Sequence, residues 1–217
     1  MEILRRTALV LKIDLLGELW TPANDVQLVA QAKTLCGDCI TWRLSRTGTT
    51  FNASSQSSAS SCKSSRILTE ASRVLLLFAQ ELEAVFPDLF HNVDRKLHVL
   101  ALAELELCEA LHAFATLLFY EQQVTWGRVV ALFMVAADLA EVCVAHGCPA
   151  LIHAIVDCVG VIFLKTVLPW VKAHGGWTDM VRTLDCRKRP IGLCWFLGSL
   201  ATILGFVVLP HYTEKMY

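Results

Sequence analysis

Residues 126–170 read WGRVVALFMVAADLAEVCVA (126–145), HGCP (146–149) and ALIHAIVDCVGVIFLKTVLPW (150–170), and this stretch decides the fold. Each outer run is apolar nearly all round. Its only charges are Arg128, Asp138 and Glu141 in the first run and Asp157 and Lys165 in the second. A helix without a polar face has to be buried, in a protein core or in lipid. Gly147 and Pro149 between the runs spell a helix stop followed by a helix start. The stretch therefore predicts a tight helical hairpin that other elements must cover.

The covering elements lie upstream. Residues 24–45 (NDVQLVAQAKTLCGDCITWRLS) place Val26, Val29, Leu35, Cys39 and Trp42 at amphipathic-helix spacing, with Asn24 and Asp25 after Pro22 to cap the start. Residues 47–65 are Ser-rich and bury too little apolar area to offset the entropy of ordering, so they read as a flexible loop. Residues 67–86 form a strongly amphipathic helix that Pro87 ends, and 88–100 and 102–120 read as two more. No period-2 strand pattern recurs. The expected fold is all-α: a helical bundle of amphipathic helices around a buried apolar central helical hairpin, with a C-terminal transmembrane helix.

That last helix is 191–209 (IGLCWFLGSLATILGFVVL), uncharged throughout and preceded by Arg187, Lys188 and Arg189. At ~1.5 Å per residue it spans roughly 28 Å, close to the ~30 Å hydrocarbon thickness of a bilayer. Ile191 and Leu209 bound the span, Trp195 and Gly198 lie within it, and Ala201 and Gly205 form a small-xxx-small pair. The basic triplet keeps the preceding domain on the cytosolic side. The chain thus divides into an N-terminal segment (1–23), a bundle (24–186, with the loop at 47–65), and a basic flank with tail anchor (187–217). Hydrophobic residues at 55% and charged residues at 18% agree with a chain partly placed in lipid.

Other classes are excluded or left without support. A net charge of −1 and no aromatic-interleaved basic run argue against nucleic acid. Lys12 and Asp14 interrupt Leu9–Leu16, which makes a poor secretory signal. The nine cysteines then read as reduced, small hydrophobes. Cys36 and Cys39 have CxxC spacing, but no second pair or histidine at ligand spacing accompanies them, so they read as packed thiols. Asn52-Ala53-Ser54 is a glycosylation triplet without the lumenal location it needs. No metal, no cofactor and no catalytic constellation is indicated, and an enzyme is not expected.

Three strings carry the functional reading. Val124-Thr125-Trp126-Gly127-Arg128-Val129 opens the first hairpin helix, where a guanidinium is costly unless an acid meets it. Gly175-Gly176-Trp177-Thr178-Asp179 turns the chain after the second helix. On 67–86, Ala71, Leu75, Phe78 and Leu82 share one face, with the small Ala79 beside them and Glu81 near by. Together these resemble the first, second and third Bcl-homology motifs of the B-cell lymphoma two (Bcl-2) family of apoptosis regulators. The opening Met1–Arg6, Leu28–Lys33 and Ile155–Gly160 are similar to its Bok branch.

The resemblance implies a pro-apoptotic effector that oligomerises and permeabilises the mitochondrial outer membrane, with residence at the endoplasmic reticulum and some in the cytosol. It also implies a groove, lined by Val124, Trp126, Gly127, Arg128, Val129, Gly175, Gly176 and Trp177, that accepts a helix from other family members. Partners are then family proteins, the lipid bilayer and further copies of the chain. Where the third motif carries Asp after its small residue, this chain has Gln80. That departure weakens the helix as a donor. A pro-survival groove protein and a membrane adaptor without a death role share the same motifs and stay open.

Overall fold

The computed structural model describes residues 23–46, 48, 62–85, 104–120 and 124–184. Within them run α1 (Ala23–Arg46), α2 (Cys62–Val85), α3 (Glu104–Leu118), α4 (Trp126–Ala145), α5 (Leu151–Ala173) and α6 (Trp177–Leu184). The all-α bundle holds, and the described residues contain no strand. The expected helix at 88–100, the N-terminal segment and the tail span 191–209 lie outside the described residues. One boundary moves: Cys62–Ser65, read as the end of the Ser-rich loop, is the first turn of α2.

The hairpin is built as its residues dictate. Thr125 caps α4 from an extended conformation (φ −139°, ψ 157°), its hydroxyl accepting the Arg128 N–H at 3.3 Å. At the other end Gly147 adopts φ +75°. The Cys148 N–H then donates to the Cys143 carbonyl at 2.8 Å and Gly147 N–H to Val144 at 3.0 Å. This paired closure satisfies carbonyls that a helix end leaves open. The same closure ends α5, with Gly175 at φ +87° and the Gly176 N–H on the Val171 carbonyl at 2.9 Å.

Pro169 lies inside α5, where its ring presses on the carbonyl four residues back and it offers no N–H. The helix widens into a π-turn over Phe163–Val167 just before it, and the Leu168 N–H reaches back to the Phe163 carbonyl.

Sixteen of the twenty residues of α4 are buried, so α4 is the axis of the bundle. The second arm differs from the first: α5 keeps a solvent face at His153, Asp157, Lys165 and Thr166 while burying Ile152, Ile155, Val159 and Ile162. The reason is position. α1, α3 and α4 cover α5 on their own sides only, whereas α4 is surrounded. By length and composition α5 could cross a membrane, yet half of its most apolar window is buried in the bundle.

One polar contact organises this apolar interior. Asp138, on the buried axis, pairs with Arg43 of α1 at 2.7 Å. The same guanidinium donates to Glu141 of α4 and to Glu83 of α2, each at 2.6 Å, and Arg46 also pairs with Glu83. Two guanidiniums thus face three carboxylates. Burial pushes Asp138 up to about 8 against the pull of Arg43, with Glu141 and Glu83 adding to the rise. Burial alone would lower Arg43, but Asp138, Glu141 and Glu83 hold it above its ordinary value. A single proton on Asp138 leaves the cluster neutral.

Removing Arg43 strands buried carboxylates, so Arg43→Met should lower stability by about 3–5 kcal/mol in chemical denaturation. Arg43→Lys should recover only part, because an ammonium cannot fork to three acids. Asp138 titrates at about 8 in the fold against an ordinary 3.8, so folding takes up a proton between those values. Its contribution is complete below its unfolded value and is lost as pH rises through the folded one. Asp138→Asn should flatten the fall in stability between about pH 5 and 8. An unchanged slope would mean that Asp138 is ionised throughout.

Candidate functional site

Two of the three strings singled out above meet at one end of the bundle, and the ridge helix α2 packs on α6, which the second of them opens. Trp126 opens α4, and its ring meets Trp170 edge-on at 5.0 Å and Trp177 at 5.8 Å. Phe163 stacks on Trp177 at 5.5 Å, and His174 stacks on Trp170 at 4.2 Å. The Trp126 indole N–H donates to Asp179 Oδ2 at 2.8 Å, which ties the head of α4 to α6 across 53 residues of sequence. Aromatic pairs at these separations add about 0.5–1.5 kcal/mol each beyond the area they bury.

The glycines make this meeting geometrically available. Gly175 and Gly176 both take positive φ, +87° and +70°, so the chain reverses within two residues and delivers Trp177 against Trp126. A Cβ at either position would meet nothing within 4 Å, so the requirement there is backbone conformation and not space.

Trp126 and Trp177 are 2% and 3% exposed, and Val129 and Gly127 are also buried. Val124 and Arg128 are 7% exposed. Burial lowers the Arg128 guanidinium from its ordinary value. The residues read as groove-lining are therefore brought together, but most of them face inward; Gly175 is the exposed member. Lys172, just before the glycine pair, reaches Asp25 at the start of α1 at 2.7 Å.

On α2 the ridge Ala71, Leu75, Phe78 and Leu82 shares one face, as the spacing requires, and every member is at most 2% exposed. Val74 and Ala79 are buried with it, Glu81 is half-buried, and Gln80 faces solvent. The ridge packs inward, α2 lying against α6, α1 and α4. In this arrangement it is core, and presenting it to a partner requires α2 to leave the bundle.

Two further strings meet although they lie 124 residues apart. Lys33 Nζ pairs with Asp157 Oδ1 at 3.0 Å, and its aliphatic stem lies across Gly160, where a side chain would collide with it. The pair itself is exposed and worth little; the glycine leaves room for the Lys33 stem where α1 packs on α5. Cys36 and Cys39 are wholly buried in α1, and burial pushes the Cys36 thiol up to about 12.

Arg43 is the residue that sequence reasoning missed. The available signal was Asp138 and Glu141, two acids three apart on an apolar helix, which require a cation from another element. Asp179, partner of Trp126, sits in the Gly-Gly-Trp string with no local signal that marks the bond.

Comparisons with known proteins agree with this geometry. Residues 75–177, from the ridge to Trp177, match the family described as apoptosis regulator proteins, Bcl-2 family. The chain is 34% identical over 217 residues to the chicken (Gallus gallus) Bcl-2-related ovarian killer protein, covering 97% of this chain and 100% of that one. The crystal structure of chicken BOK superposes with a TM-score of 0.63 at 38% identity, covering 74% of this chain and 98% of that chain. A Trichoplax adhaerens protein, trBcl-2L2 bound to trBak BH3, shares the fold at a TM-score of 0.57 and 19% identity, over 71% of this chain and 97% of that one.

The Trp126–Asp179 bond is open to a direct test. Asp179→Ala should cost about 1–2 kcal/mol of stability, and Asp179→Asn less, because the amide oxygen still accepts. A double-mutant cycle with Trp126→Phe should return a coupling of roughly 1 kcal/mol. A coupling near zero would mean that the bond contributes nothing.

Proposed function

Since this chain belongs to the Bcl-2 family of apoptosis regulators, we propose that it is a Bok-type, pro-apoptotic effector that oligomerises and permeabilises the mitochondrial outer membrane. The observation that carries the reading is similarity to ovarian killer proteins along nearly the whole chain, the tail region included. Two physical features support it. The apolar α4–α5 hairpin lies beneath amphipathic helices, so opening the bundle offers it to lipid. The uncharged run 191–209 behind Arg187, Lys188 and Arg189 is suited to anchor the chain with its folded domain in the cytosol. Residence at the endoplasmic reticulum uses the same anchor.

Partner binding uses the helix-in-groove mode at the aromatic junction, where Val124, Trp126, Gly127, Arg128 and Val129 meet Gly175, Gly176 and Trp177. The Trichoplax protein of this fold is bound to a BH3 segment, which supports the mode. Arg128 is 7% exposed in the bundle, so a docking helix has to uncover it. Its carboxylate would then meet the guanidinium in a site shielded from water.

A second reading, a pro-survival protein that captures death-motif helices, is favoured by one observation. The chain's own ridge is buried and carries Gln80, which makes it a better acceptor than donor.

Two measurements separate these. Full-length protein on cardiolipin-containing liposomes should release entrapped dye at micromolar concentration. Protection of such liposomes against another effector, without release of its own, would favour the second reading. For the groove, Arg128→Ala should weaken binding of an Asp-containing helical peptide about tenfold more than binding of its Asn counterpart. Equal losses would remove Arg128 from the interface.

A further inference from the structure

Cys108 of α3 and Cys158 of α5 face each other where the two helices pack. Both thiols are free, Cys108 half-buried and Cys158 buried. The Cys158 thiol donates to the Cys108 carbonyl oxygen at 3.7 Å, which sets its sulfur against Cys108 across the helix contact. Cys143 also lies near Cys148 at the hairpin turn, but Cys143 is wholly buried. Cys36 and Cys39 are sealed in the core on a single helix, and Cys148 directs its thiol to the His146 carbonyl at 3.7 Å.

We propose that Cys108 and Cys158 form a redox-sensitive staple, closed by a peroxide and opened by cellular thiols. Cys108 is the attacking sulfur because its half-buried position admits a small oxidant. Cys158 beside it also holds the Cys108 thiol below the ordinary value, against burial and the nearby Glu104 and Asp157. The Cys108 thiolate attacks one peroxide oxygen, the O–O bond breaks, and hydroxide leaves. Cys108 becomes a sulfenic acid, oxidised by the two electrons that the peroxide gains. The Cys158 sulfur then attacks the Cys108 sulfur. The S–O bond breaks, the S–S bond forms, and the hydroxyl departs with the Cys158 proton as water. A dithiol such as dithiothreitol, or the glutathione pool, reverses the step by thiol–disulfide exchange.

The physical consequence is a covalent tie between the outer arm of the hairpin and the helix that covers it, closing a loop across 50 residues. Such a cross-link constrains the unfolded chain and holds α3 on α5. Oxidation therefore opposes opening of the bundle.

The test uses the full-length chain treated with stoichiometric hydrogen peroxide, alkylated with N-ethylmaleimide and digested without reductant. The expected product is a Cys108–Cys158 linked peptide, lighter than the two free peptides by about 2 Da and lost after dithiothreitol. Dimedone should label Cys108 in the Cys158→Ser variant, and should leave Cys158 unlabelled in Cys108→Ser. The oxidised wild type should melt roughly 5 °C or more above the reduced form. Alkylation of both thiols after peroxide, a bridge formed by other cysteines instead, labelling of Cys158 first, or an unchanged melting point would each overturn the proposal. If either serine variant fails to fold, the linked peptide and the melting shift in wild type decide alone.

Discussion

Asp138 stands on a helix that touches water almost nowhere, and the arrangement of its neighbours follows from making that position tolerable. A carboxylate there needs a cation from another element, and Arg43 supplies it at 2.7 Å. The guanidinium has donors to spare, and they go to Glu141 on the same helix and Glu83 on α2. One side chain therefore sets the register of α1 and α2 along α4 at once. Apolar burial provides the larger stabilisation but carries no direction. The ion cluster provides the direction, and breaking it costs more than making it gains.

The same constraint shapes what α2 can do. Glu83 follows Leu82, the last residue of the buried ridge, so the ridge and the ion cluster are parts of one contact surface. α2 cannot turn its apolar face outward and keep Glu83 on Arg43. Exposing the ridge is thus coupled to disrupting the cluster. The coupling holds the ridge inside the closed bundle.

α5 occupies the boundary of this system. Its inner face packs on α4, α1 approaches it over Gly160, and α3 approaches it at Cys158. Its outer face keeps Asp157 and Lys165 in water. It is the hairpin arm held by the fewest neighbours, which is why a thiol pair between α3 and α5 has leverage over the bundle that a surface disulfide elsewhere would lack.

How much of this was legible in the chain depends on the range of the interactions. Period and punctuation are local, so α1, α2, α4, α5 and the Gly147 and Gly175-Gly176 turns could be read from 24–45, 67–86 and 126–177. The ridge face of α2 follows from spacing alone. The 62–65 turn was misread because composition cannot distinguish a serine in a loop from one in the first turn of a helix. What the tertiary structure decided is everything that joins distant residues: Arg43 with Asp138, Trp126 with Asp179, Lys33 over Gly160, Cys108 against Cys158. It also decided that the ridge and the motif tryptophans point inward. By itself, the sequence determined which faces had to be covered, because apolar periodicity is written residue by residue. Which face covers which depends on how rigid helices pack at close density, and that is a property of the assembled bundle.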